Sequence, residues 1–207
     1  MRALVFLFMV VFLASAARAG DLTVSVRTSA GQPVRDAVIT AYPNGQPTRG
    51  PIRFDWPLRM AQKDIRFDPF VLIVPVGGEV AFPNFDKVRH HVYSFSPGNR
   101  FELKLYGREE NRTFRFMAPG AAAIGCNIHD QMVAFIRVVD TAFAAKTSAT
   151  GEATLRGLPA GPVTVRVWHP YLRAPKNETS FTYAAPAAGV VRRPVAVELR
   201  AAQPMAH

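Results

Sequence analysis

Apolar and polar residues alternate with period two in four stretches of the chain. These are residues 22–26 (LTVSV), 101–105 (FELKL), 113–116 (TFRF) and 163–167 (VTVRV). Such alternation sends successive side chains to opposite faces, one buried and one wet, and predicts β-strands. Residues 71–74 (VLIV) and 135–139 (FIRVV) are more continuously apolar, as expected of core strands in a sandwich. Between these runs lie Gly-Gln-Pro, Pro-Asn-Gly, Gly-Gly, Ser-Pro-Gly, Ala-Pro-Gly and Pro-Ala-Gly, all of which favour turns. No convincing amphipathic helix is visible. Residues 42–62 and the Pro/Ala-rich stretch 184–194 read as loop or linker. The predicted class is therefore all-β, built as β-sandwiches.

The first 19 residues stand apart. Arg2 is followed by an apolar run from Ala3 to Ala14 and then by Ala17-Arg18-Ala19. A basic start, an apolar core and an Ala-x-Ala end describe a secretory signal peptide cleaved after Ala19. The apolar run is shorter than the roughly 20 residues a membrane-spanning helix needs. Export to the periplasm is the expectation, with no membrane span after cleavage.

Composition narrows the function. The 207 residues include 25 Lys+Arg, 15 Asp+Glu, five His and one Cys, for a net charge of +10, or +8 once Arg2 and Arg18 are lost. Half the residues are apolar, which excludes general disorder. The basic residues are scattered and form no Lys/Arg-rich tract, so nucleic acid is not expected as a partner; an acidic protein surface is. A lone cysteine excludes an internal disulfide framework. Five histidines are too few for a multicopper cluster. No Ser/His/Asp arrangement or Gly-rich phosphate loop is present, so an enzyme is not expected.

The candidate chemistry lies mid-chain. Cys126, His129 and Met132 stand at the spacing Cys-x2-His-x2-Met, between a small-residue strand (121–125) and an apolar one from Val133. About 35 residues upstream, Asn84-Phe-Asp86-Lys-Val-Arg-His90-His91 offers a further imidazole. Two imidazoles and a thiolate can form a trigonal plane around copper, with a weak thioether on the axis, and that geometry suits both Cu(I) and Cu(II). Three ligands on one short loop leave the fourth to a neighbouring strand. Successive residues of a strand face opposite sides, so only one of His90 and His91 can serve. Zinc is the competing metal, but a thioether is a poor zinc ligand, and Asp130 or Asp86 would have to replace it. Asn84 and Asp86 are expected to shape the turn before His90. His169, in Trp-His-Pro, reads as structural, and His207 ends the chain.

These residues resemble the cupredoxin family, the plastocyanin/azurin/amicyanin-like blue-copper proteins, over roughly residues 65–140; the short ligand loop is closest to that of amicyanin. The whole arrangement looks like bacterial cupredoxin-domain proteins labelled methylamine utilization proteins. The resemblance implies a Greek-key β-sandwich holding one type 1 copper ion on His90, Cys126, His129 and Met132. The family pattern places Asn directly after the upstream ligand, where this chain has His91. Ile128 and Met132 would flank an apolar docking patch beside His129.

A second resemblance covers the ends. Residues 31–39 (GQPVRDAVI) and 147–167 (TSATGEATLRGLPAGPVTVRV) are similar to the two halves of a transthyretin-like, or carboxypeptidase regulatory-like, module. The economical arrangement is one sandwich interrupted by another. Residues 20–60 plus 141–200 would form the transthyretin-like sandwich, 61–140 an inserted cupredoxin domain, and 201–207 a tail. The expected function is an exported mononuclear copper protein carrying single electrons between periplasmic partners, such as a cytochrome c or a dehydrogenase. Copper storage, delivery or sensing without rapid electron transfer is the alternative.

Overall fold

A computed structural model describes residues 19–201. The segment expected to be a signal peptide lies, apart from Ala19, outside the described residues. Sixteen strands account for nearly all the regular structure, and the helix content of the described residues is one 3-10 turn at Pro175–Asn177. The all-β expectation is met.

Two sheets enclose the first core. One contains β1 (Ala19–Thr28), flanked by β13 (Glu152–Pro159) and β16 (Val190–Val197). The other has the order β12 (Phe143–Lys146), β2 (Val38–Pro43), β14 (Gly161–Trp168), β15 (Glu178–Ala185). Leu22, Val24 and Val26 from β1 meet Ile39, Ala41, Leu155, Val163, Val165 and Val167, all buried. The period-two alternation read in residues 22–26 and 163–167 arises here.

A five-stranded sheet carries the second core. Its order is β5 (Val71–Pro75), β11 (Val133–Val139), β10 (Gly120–Gly125), β7 (His90–Ser94), β8 (Phe101–Tyr106). Opposite it lie the ladder of β6 (Gly78–Ala81) with β9 (Thr113–Phe116) and the short hairpin of β3 (Ala61–Gln62) with β4 (Phe67–Asp68). Buried residues of this core run from Met60 to Val138. Those of the first core come only from 22–41 and 153–197.

A third apolar cluster joins the two. Val71, Ile73 and Val139 from the five-stranded sheet pack on Val38 and Trp168 of the four-stranded one, with Phe70 and Phe135 alongside. This contact explains the continuous apolar runs. Leu72 and Val74 face the second core while Val71 and Ile73 face the junction, so β5 is buried on both sides. In β11, Ala134, Ile136 and Val138 face inward and Phe135 faces the junction. Arg137 crosses it to bond Glu178, stacking over Trp168.

The Pro/Ala-rich stretch differs from expectation. Residues 190–194, read as linker, form the first part of β16, a parallel partner of β1 with Val190 opposite Asp21 and Pro194 opposite Ser25. Arg192, Arg193 and Pro194 obscure the strand pattern, but an edge strand tolerates a proline and exposed charges. Residues 42–62 are mostly irregular as expected, apart from the end of β2 and β3.

Candidate metal centre

The site grows out of strand ends. β10 stops at Gly125, β11 begins at Val133, and the two residues pair, so residues 126–132 form the loop between antiparallel strands. Gly125 also pairs with Tyr93 of β7, which brings the head of that strand beside the loop. The Met132 N–H donates to the His129 carbonyl at 2.9 Å, tightening the turn.

The alternation of β7 separates its two histidines. Val92 lies in the second core with Cys126, and His90, two residues away, turns the same way and is fully buried. Its Nδ1 lies 4.0 Å from Cys126 Sγ. His129 Nδ1 lies 3.8 Å from the same sulfur. The ligand atoms of His90, Cys126 and His129 all fall within 4.8 Å of one another. His91 faces the other way: its Nε2 is 2.8 Å from Glu102 Oε1, and its Nδ1 is buried without a partner.

These separations can be tested against a metal. With metal–sulfur near 2.3 Å and metal–nitrogen near 2.0 Å, sulfur and nitrogen sit about 3.7 Å apart in a trigonal plane and about 3.5 Å apart in a tetrahedron. The observed 3.8 and 4.0 Å lie within a few tenths of an ångström of either arrangement, so the three atoms could share one ion. Both imidazoles present Nδ1 to the thiol, and a soft sulfur with two nitrogens suits copper. Met132 is buried in the same apolar cluster as Cys126. Burial corrects one expectation: Met132 cannot flank an exposed docking patch, because its thioether belongs to the interior. Ile128 is half exposed and remains available.

Sequence reasoning gave Asn84 and Asp86 a turn-shaping role. Asn84 does this, accepting the Asp86 N–H at 2.8 Å and donating to the Val88 carbonyl at 2.8 Å. Asp86 does something else. Its carboxylate reaches His90 Nε2 at 2.8 Å and the backbone N–H groups of Asp64 and Ile65 at 2.7 and 3.0 Å. Desolvation works to raise its pKa, but the His90 contact and the two N–H donors outweigh it and hold the carboxyl below the usual range. The available signal was the i, i+4 spacing of Asp86 and His90; nothing in the sequence pointed to the turn at 64–65. Tyr93 is pushed above its ordinary pKa by burial, then by the nearby Cys126 and Asp130.

His169 is buried in the first sandwich, far along the chain from the 126–132 loop, with Nδ1 accepting the Tyr171 N–H at 3.2 Å. Burial pulls its pKa down to about 4, against the opposing charge of Asp36.

No protein-family model matches the chain, and no curated protein matches it. Among solved structures, it is similar to a Cu-containing nitrite reductase (NirK) from Thermus scotoductus SA-01, with 27% identity and a TM-score of 0.38 over 46% of this chain. The match spans about a quarter of that reductase, 25% of its length. A purple cupredoxin from Nitrosopumilus maritimus is 20% identical, TM-score 0.35, over 39% of this chain and 97% of its own. A reduced amicyanin variant is 18% identical, TM-score 0.37, over 48% of this chain and 98% of its own.

Proposed function

We propose that this chain binds one copper ion on His90, Cys126, His129 and Met132 and carries single electrons as a type 1 copper protein of the cupredoxin kind. The convergence of two imidazole Nδ1 atoms on one buried cysteine sulfur carries the reading. Bound copper would supply a one-electron Cu(I)/Cu(II) couple. The chain supplies the rest. Cys126 gives a thiolate in a nearly dry setting, with 2% exposure, where its charge acts strongly. His90 is fixed at the head of a strand, so the ligand frame moves little when the charge changes. His129 is only half buried, and its ring is the outermost of the two imidazoles.

Ile128, Phe85 and Val88 are exposed apolar side chains on the two segments that bear the ligands. They would form the docking surface for a redox partner such as a periplasmic cytochrome c or dehydrogenase. Among the described residues no helix is long and apolar enough to cross a membrane. Export rests on the N-terminal pattern of the sequence. Residues 61–140 would be a cupredoxin domain inserted into a transthyretin-like sandwich made of 20–60 and 141–200. Separate buried cores from 60–138 and from 22–41 plus 153–197 support this division.

Anaerobic loading with one equivalent of Cu(II), followed by ascorbate reduction and reoxidation, tests the reading. Repeated cycling without loss of metal, with fast electron self-exchange, is expected. Slow exchange with ready release of copper to a chelator would instead indicate storage or delivery.

A further inference from the structure

The first sandwich is open along one side. A groove of about 470 Å³ runs there between residues 179–182 of β15 and residues 193–195 of β16. Both strands are sheet edges: β15 pairs only with β14, and β16 only with β1. Natural edge strands are blunted by charges, proline, bulges or short length. β16 carries two charges and a proline in succession, Arg192, Arg193 and Pro194. β15 carries no such feature over residues 179–185. It is eight residues long, pairs with β14 in unbroken register, and offers only hydroxyl, aromatic and alanine side chains beyond Glu178. Every second residue of β15 turns its N–H and C=O away from β14. Among the described residues no other backbone group meets them.

Charge decides which strand fits that edge. In the parallel ladder Arg193 lies opposite core-facing Val24 and between Val191 and Val195, so its side chain leaves β16 on the groove side. Burial pushes the Tyr183 hydroxyl above its usual pKa and Arg193 pulls it back, so the guanidinium stands close to β15. That hydroxyl is buried without a hydrogen-bond partner. Neither Arg192 nor Arg193 has a carboxylate partner among the described residues, and no acidic residue lines the groove. Phe181 and Val195, both half-buried, give it an apolar floor. A second copy of this chain is a poor occupant. Pairing β15 with β15 would also bring the two β16 strands together, gathering Arg192 and Arg193 of both copies with no compensating carboxylate. We propose that the groove takes an extended acidic segment of a partner protein, which adds as a further strand to β15 and sets a carboxylate on Arg193. Main-chain hydrogen bonds give affinity, and the arginine selects the side chain. This inference is independent of the copper reading.

A designed peptide tests it on the full chain. The probe is the end-blocked peptide Thr-Glu-Val-Glu-Val-Glu-Thr, with its counterpart carrying Lys in place of Glu as control. The acidic peptide should bind, more weakly as salt is raised. It should slow hydrogen exchange of alternate β15 amides and leave β16 amides unchanged. Arg193→Gln should weaken binding about tenfold, the loss of one charge-assisted hydrogen bond. Arg193 is exposed, so this substitution leaves the core intact. The lysine peptide should bind at least tenfold more weakly than the acidic one. Absence of saturable binding, equal binding of the two peptides, an unchanged affinity in Arg193→Gln, or binding that leaves β15 exchange unaltered would each overturn the proposal. A peptide-free chain that sediments as a dimer with its β15 amides already protected would give the groove to a second copy and overturn it too.

Discussion

Cys126 and the two imidazoles facing it have unequal neighbours, and their substitutions should differ accordingly. His90→Ala removes a buried nitrogen 4.0 Å from the sulfur and should abolish the blue colour of the copper-loaded chain. His91→Ala removes a ring bonded to Glu102 and should leave the absorption band in place. The reverse result would reassign the ligand. Met132→Leu conserves volume, so it should cost less than about 1.5 kcal/mol in apo stability. The colour should persist and the potential rise, because a weak axial donor to Cu(II) is lost; voltammetry reads the shift. Much of this was legible in the sequence because Cys-x2-His-x2-Met is local. The partner of His90 was not. Asp86 shows its i, i+4 spacing, but the Asp64 and Ile65 donors lie over 20 residues upstream and act through backbone N–H groups, to which side-chain identity gives no clue.

Strands read well where one face alone is buried. The alternation in β1 and β14 follows from a core on one side, and β5 showed an unbroken apolar run because it serves two cores. β16 escaped notice because its exposed residues, including Arg192 and Arg193, supply little burial pattern. The link between β11 and β15 escaped too, since Arg137 and Glu178 are distant in sequence. Desolvation pulls the Arg137 pKa below its ordinary value, although the Glu178 charge opposes this, so the guanidinium depends on its partner. Glu178→Gln strands that buried cation and should lower stability by about 3 kcal/mol. Arg137→Met combined with Glu178→Gln should recover much of the loss in denaturant unfolding, a recovery that simple surface pairs would not show.

At the scale of the whole molecule, the two sandwiches respond to different solution variables. His169 in the first is held neutral, with its pKa depressed from 6.5 to about 4. Between those values the unfolded chain binds a proton that the folded chain refuses. Stability is therefore complete above about pH 6.5 and falls as pH drops toward 4, by at most about 3 kcal/mol. His169→Gln should flatten that part of the pH–stability profile measured on the metal-free chain; an unchanged profile would place the titration elsewhere. On the proposed ligand set, copper would act on the second sandwich: those ligands come from the head of β7 and the β10–β11 loop, so binding would tie the two together and should raise the melting temperature in proportion to the logarithm of free metal. Limited proteolysis of the loaded chain should release a stable fragment near residues 61–140 if that sandwich is an inserted unit.

Anaerobic titration of the chain with Cu(II), followed by visible absorption, tests the central claim most directly. A strong thiolate-to-copper band that saturates at one equivalent, disappears in Cys126→Ser and bleaches reversibly on reduction is the expected result. A colourless complex, or a chain that holds zinc in preference to copper, would contradict it.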